Sequence, residues 1–119
     1  MSQWRAVCPV SRLPVERGVA ALVDGEQVAI FRTAEGDLHA LSNHDPFSGA
    51  MVMSRGIVGS RGDRHTVASP VFKQVFDLET GRCLDDPAVG LEVHPVRVVD
   101  GFVEVALQAR ALSARRVRT

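Results

Sequence analysis

The chain has 119 residues, 45% of them hydrophobic, and its 14 basic and 14 acidic side chains cancel to a formal net charge of zero. That balance excludes nucleic-acid binding as the main role, and no stretch approaches the roughly 20 apolar residues of a membrane span. The length fits a single domain able to bury a core without a metal or a disulfide. The two cysteines, Cys8 and Cys83, are therefore expected as free thiols of a soluble cytoplasmic protein.

Residues 4–8 alternate between apolar and polar and predict a first strand; Pro9, Ser11 and Pro14 then break the chain. Residues 19–23 and 27–31 are apolar runs flanking Asp24-Gly25-Glu26, a hairpin signal because Gly25 accepts positive φ without steric cost. Glu35-Gly36-Asp37 makes the next turn, and residues 38–41 the next strand. Periodicity then weakens over residues 43–64, which Gly49, Gly56, Gly59 and Gly62 punctuate. Ile57-Val58 is expected to pair with Val67-Ala68 as a hairpin across Gly62-Asp63. Residues 75–78 form a strand ending in the Thr80-Gly81 turn, and Asp85-Asp86-Pro87 turns again. Residues 93–99 and 102–107 alternate around Asp100-Gly101, a second Asp-Gly hairpin.

No segment before residue 108 sustains a helical period, so the fold class is all-β, an antiparallel β-sandwich or barrel of short strands. Residues 1–107 form the domain. Residues 108–119 form a basic C-terminal tail with Arg110, Arg115, Arg116 and Arg118 and no acid, read as a frayed end or a basic arm.

Little here predicts chemistry in the chain itself. His44, Asp45 and His65 would be the ligands of a mononuclear metal if their loops met, but their spacing does not require one, and no metal is expected. His39 alternates with apolar neighbours and is expected to face solvent; His94 precedes Pro95 in a strand and reads as structural. Cys8 reads as a buried, inert thiol. Cys83 follows Arg82 and reads as anchoring a turn. Ser69 lacks the glycine-flanked elbow of a nucleophilic serine. Gly56-Ile57-Val58-Gly59 lacks the ending of a phosphate loop. No catalytic residue is assigned.

The stretch Val67-Ala68-Ser69-Pro70-Val71-Phe72-Lys73-Gln74-Val75-Phe76-Asp77-Leu78-Glu79-Thr80-Gly81 resembles the second cluster-binding segment of Rieske iron–sulfur domains. That segment reads Cys-Pro-x-His-Gly, then Phe-Asp and a Thr-Gly turn. Pro70, Phe76, Asp77, Thr80 and Gly81 fit the frame, while Ser69 stands in the cysteine position and Phe72 in the histidine position. Upstream, Leu41-Ser42-Asn43-His44-Asp45-Pro46-Phe47-Ser48-Gly49 puts Asn43 and Asp45 where the family has Cys-x-His. A Rieske centre needs two thiolates and two imidazoles, and all four positions are replaced.

The replaced ligands, with Ser54-Arg55-Gly56-Ile57-Val58-Gly59, Gly81-Arg82-Cys83-Leu84-Asp85-Asp86-Pro87 and Val93-His94-Pro95-Val96-Arg97-Val98, are similar to the small subunits of assimilatory NAD(P)H-dependent nitrite reductases. The resemblance spans about residues 4–107. It implies a Rieske-like antiparallel β-sandwich with a small projecting loop lobe, built from residues 43–64 and 69–75, and no cofactor in this chain. It further implies a partner large subunit that carries flavin, an iron–sulfur cluster and siroheme and reduces nitrite to ammonium. The chain would then be a structural or regulatory subunit of an oxidoreductase, inactive alone. Its docking surface is expected at the loop tips, on Pro46, Phe47, Val71, Phe72 and Lys73, with steering charge from Arg55, Arg61 and Arg64. Phe72 has two expected roles, filling the emptied cluster space or contacting the partner, and the filling role is slightly favoured.

Overall fold

The computed structural model describes residues 3–108. Apart from Gln108, the tail lies outside the described residues. Among the described residues, ten strands form three antiparallel sheets. The first holds β1 (Trp4–Pro9), β10 (Phe102–Ala106) and β9 (Val96–Val99), in that order. The second orders β2 (Gly18–Val23), β3 (Glu26–Arg32), β4 (Leu38–Ser42) and β8 (Val93–His94). The third, β5 (Ile57–Arg61), β6 (Arg64–Ala68) and β7 (Val75–Asp77), makes the small lobe beside the loops. Short 3₁₀ turns at Val10–Arg12 and Met53–Arg55 were not signalled by any helical period.

The Asp-Gly turns form as their chemistry dictates. Asp24 and Gly25 lie at φ 48° and 85°, and Asp100 and Gly101 at φ 51° and 80°. Two residues with positive φ make the turn whose twist matches an antiparallel pair. Val23 accordingly faces Glu26, and Val99 faces Phe102.

The second sheet is the wall between two cores. On one side Val28 and Ile30 of β3 and Ala40 of β4 pack with Val103, Val105 and Leu107. On the other, Ala29, Phe31 and Leu41 pack with Met53, Val67, Phe76, Leu78 and Cys83. Successive strand side chains point to opposite faces, so a strand covered on both sides is apolar at every position, as residues 28–31 are.

Two expectations are corrected. Residues 93–99 are not one strand: β8 pairs with β4 and β9 with β10, and the chain changes sheets at Pro95, which has no N–H to continue a ladder. His39 does not face open solvent. It shares its side of β4 with Leu41, the side covered by the third sheet, and its Nε2 is buried without a hydrogen-bond partner.

Candidate functional site

The site consists of two loops, one following β4 and one between β6 and β7. In the first, Asn43 is buried and closes the loop on itself. Its Nδ2 donates to Gln27 Oε1 at 3.1 Å and to the Met51 carbonyl at 3.2 Å, while its Oδ1 accepts the Ser54 N–H at 2.7 Å. Two residues on, Asp45 is fully buried. Its Oδ1 accepts the Phe47 N–H at 2.9 Å and its Oδ2 accepts the Ser48 hydroxyl at 2.9 Å. Its carbonyl accepts the Gly49 N–H at 2.7 Å, with Gly49 at φ 82°.

The second loop supplies the last partner of that carboxylate. Ser69, also fully buried, donates its hydroxyl to Asp45 Oδ2 at 2.5 Å and accepts the Val71 N–H at 3.2 Å. A bond this short between a hydroxyl and a carboxylate is the charge-assisted kind. Burial works to raise the Asp45 pKa, but the donors from Ser69, Phe47 and Ser48 outweigh it and hold the carboxyl below its ordinary value of 3.8. The two loops, which in a Rieske domain would be joined through cluster ligands, are here joined by one hydrogen bond between two of the replaced positions.

Phe72 does not fill the emptied space. It is 59% exposed, beside Val71 at 42% and the exposed Lys73. Its loop is closed by backbone bonds from Ser69 N–H to the Gln74 carbonyl at 2.9 Å and from Lys73 N–H to the Ser69 carbonyl at 3.1 Å. That tight turn carries residues 71–73 outward. Phe47 is the aromatic that packs inward: it is half-buried, with its ring centroid 6.1 Å from that of Phe76. The expected docking residues therefore divide, with Pro46, Val71, Phe72 and Lys73 exposed and Phe47 joined to the core. Met51, 49% exposed after the first loop, is an exposed apolar residue that the sequence did not single out. Ser48 was also missed, although Asp-Pro-x-Ser is a pattern from which a hydroxyl turning back to the carboxylate could have been read.

The donor set does not fit a [2Fe–2S] cluster. Asp45 and Ser69 are committed to each other and to the backbone, Asn43 is committed to Gln27 and the backbone, and Phe72 has no donor atom and points away. Cys83 is buried in the core beneath the third sheet, and the half-buried Cys8 sits in β1, where burial raises its thiol pKa. Among the described residues no three His, Cys, Asp or Glu side chains gather in a metal-binding group, so His44, Asp45 and His65 do not form the mononuclear site their loops would have allowed.

The frame around the loops is kept for packing reasons. Asp77, nearly buried, pairs with Arg64 at 2.6 Å and accepts the Glu79 and Thr80 N–H groups at 2.8 and 3.3 Å. Burial tends to raise its pKa, and those donors lower it on balance. Gly81 lies at φ 77° with the Leu91 carbonyl where a Cβ would stand, so the Thr-Gly turn requires glycine. Arg61 pairs with Asp85 at 3.4 Å, so of the three expected steering arginines two are engaged within the lobe. A cleft of about 580 Å³ is lined in part by Asp37, His39, His65, Asp77 and Glu79, and His65 Nε2 is 3.3 Å from Glu35 Oε1.

A profile of the Rieske-like [2Fe-2S] domain family matches residues 3–106. The chain is 42% identical over 106 residues to the nitrite reductase (NADH) small subunit of Escherichia coli strain K12, covering 88% of this chain and 98% of that protein. It is 36% identical over 105 residues to a segment of the nitrite reductase [NAD(P)H] large subunit of Klebsiella oxytoca, which is 88% of this chain and 11% of that protein. A crystal structure named as an NADH-dependent nitrite reductase small subunit from Mycobacterium tuberculosis superposes with a TM-score of 0.88 at 51% identity, covering 92% of this chain and 98% of that one.

Proposed function

The chain belongs to the Rieske-like [2Fe-2S] domain family, among the small subunits of NADH nitrite reductase, and we propose that it is the cluster-free small subunit of such an enzyme. It supports reduction of nitrite to ammonium beside a catalytic large subunit. The observation that carries this reading is the Ser69–Asp45 bond, which closes the former ligand site internally at 2.5 Å. With the loops locked and no electron carrier fitted, what the site offers a partner is shape: an ordered tip with Pro46, Val71, Phe72 and Lys73 exposed.

An exposed aromatic flanked by aliphatic groups is the kind of anchor that carries interface energy, and preorganisation lowers the entropic cost of docking it. The large subunit is the partner because the Klebsiella oxytoca large subunit holds within its own polypeptide a segment 36% identical to this chain. Flavin, the iron–sulfur cluster and siroheme belong to that subunit, as the resemblance implies. No helix among the described residues is long and apolar enough to cross a membrane. We place the complex in the cytoplasm, where NAD(P)H is supplied.

The test is reconstitution. Anaerobically purified chain should contain no stoichiometric iron or acid-labile sulfide and should not turn over nitrite with NAD(P)H. Added to its large subunit, it should co-purify and raise nitrite turnover or the lifetime of the large subunit. A Rieske-type spectrum in the isolated chain, or no association with the large subunit, would overturn the proposal.

A further inference from the structure

Lys73 stands where the Rieske frame has glycine, and its backbone still adopts the conformation that glycine supplies, at φ 65°. A residue with a Cβ is strained there, while glycine is not. Such strain is held by the surrounding structure and clusters at functional sites. The Lys73 side chain does little inside the chain. It is exposed, its Nζ reaches the Pro70 carbonyl at 3.4 Å, and it takes part in none of the ion pairs among the described residues. By contrast, Arg61 and Arg64 have their carboxylates within the lobe. The tip is thus an apolar anchor, Val71-Phe72, followed directly by an unneutralised cation whose backbone is fixed by the Lys73 N–H bond to the Ser69 carbonyl at 3.1 Å.

We propose that Lys73 is the specificity-determining residue of the tip, pairing with a carboxylate on the large subunit that borders the apolar pocket taking Phe72. This rests on the docking role assigned above. The surface it fits is therefore an acidic rim around an apolar hollow. A charge at the rim of an interface acts mainly on encounter rate and salt dependence, while a buried anchor acts on dissociation.

The experiment measures association of the full chain with its large subunit at about 50 mM and about 300 mM salt, conditions that bracket physiological screening. The variants are Lys73→Arg, Lys73→Met, Lys73→Glu, Lys73→Gly and Phe72→Ala. Lys73→Met should weaken binding about 5-fold at low salt and Lys73→Glu about 20-fold, chiefly through the association rate, with the difference from wild type shrinking at high salt. Lys73→Arg should bind as wild type. Lys73→Gly should melt at a higher temperature than wild type yet bind as poorly as Lys73→Met, a combination that a purely structural role cannot produce. If Phe72→Ala weakens binding but Lys73→Glu does not, the role of Lys73 falls while tip docking stands. If neither weakens binding, tip docking itself falls, and this inference with it.

Discussion

Ser69→Ala removes the one side-chain bond that joins the two loops at the former ligand positions. Two contacts are lost: the 2.5 Å donation to Asp45 and the acceptance of the Val71 N–H at 3.2 Å. Hydrogen bonds to charged groups contribute about 1.5–3 kcal/mol, and neutral ones about 1. Asp45 keeps the donors from Phe47 and Ser48, and Val71 is itself 42% exposed. The net cost should therefore be about 2–3 kcal/mol, read as a fall in Tm of roughly 8–12 °C for a domain of this size. A double-mutant cycle with Asp45→Ala isolates the pair, and its coupling energy should exceed about 1 kcal/mol.

Acid adds a second check. Ser69 helps hold the Asp45 pKa below 3.8, so the stability it confers is present above that value and is lost as pH falls through the lower, folded-state pKa. The gap between wild type and Ser69→Ala should narrow accordingly in strong acid. Denaturant melts at neutral pH and in acid well below pH 3.8 measure both effects. A variant within about 0.5 kcal/mol of wild type, with coupling of the same small size, would refute the reasoning.

Phe72→Ala should change stability by less than about 0.5 kcal/mol in the same melts, because the residue is 59% exposed. Gly81→Ala should cost at least about 2 kcal/mol, since φ 77° and the Leu91 carbonyl both oppose a Cβ. His39 and His94 both have pKa values lowered by burial from 6.5, so the unfolded chain binds protons more readily than the folded one. Stability should fall as pH drops below about 6.5, and chemical denaturation at pH 7.5 and 5.5 should show a shallower dependence in the His39→Gln, His94→Gln double variant.

The parts of the fold visible in the sequence are those whose residues leave the backbone little choice. Asp24-Gly25 and Asp100-Gly101 announce their turns, and Gly81 announces a position with no room for a side chain. The replacement of the cluster ligands was equally readable, because phenylalanine and asparagine stand where a Rieske centre needs imidazole and thiolate. Side-chain direction in the loops was not readable. Phe47 turns in and Phe72 turns out because the Ser69 bond to Asp45, across 24 residues of sequence, fixes both loops. His39 followed an alternating strand pattern that indicates two faces but not what covers the second. The alternation from Val93 onward runs smoothly through Pro95, leaving the proline as the sole sign that the chain was leaving one sheet for another.

The wall shared by the two cores makes the molecule intolerant of insertions in one short turn. On β3, Val28 and Ile30 face one core and Ala29 and Phe31 the other, and the two sets differ in volume and spacing. A strand that slips by one residue exchanges its faces. In a sheet with a wet side, that error exposes one apolar set; here it would drive the Phe31 ring into space shaped for Val28 and Ile30 while leaving a hollow beside Met53. One residue added to the two-residue loop at Asp24-Gly25 would therefore have to be absorbed as a bulge, or it would disorder both halves of the domain at once. Extra length at Gly62, on a hairpin whose turn is open to solvent, would meet no such constraint.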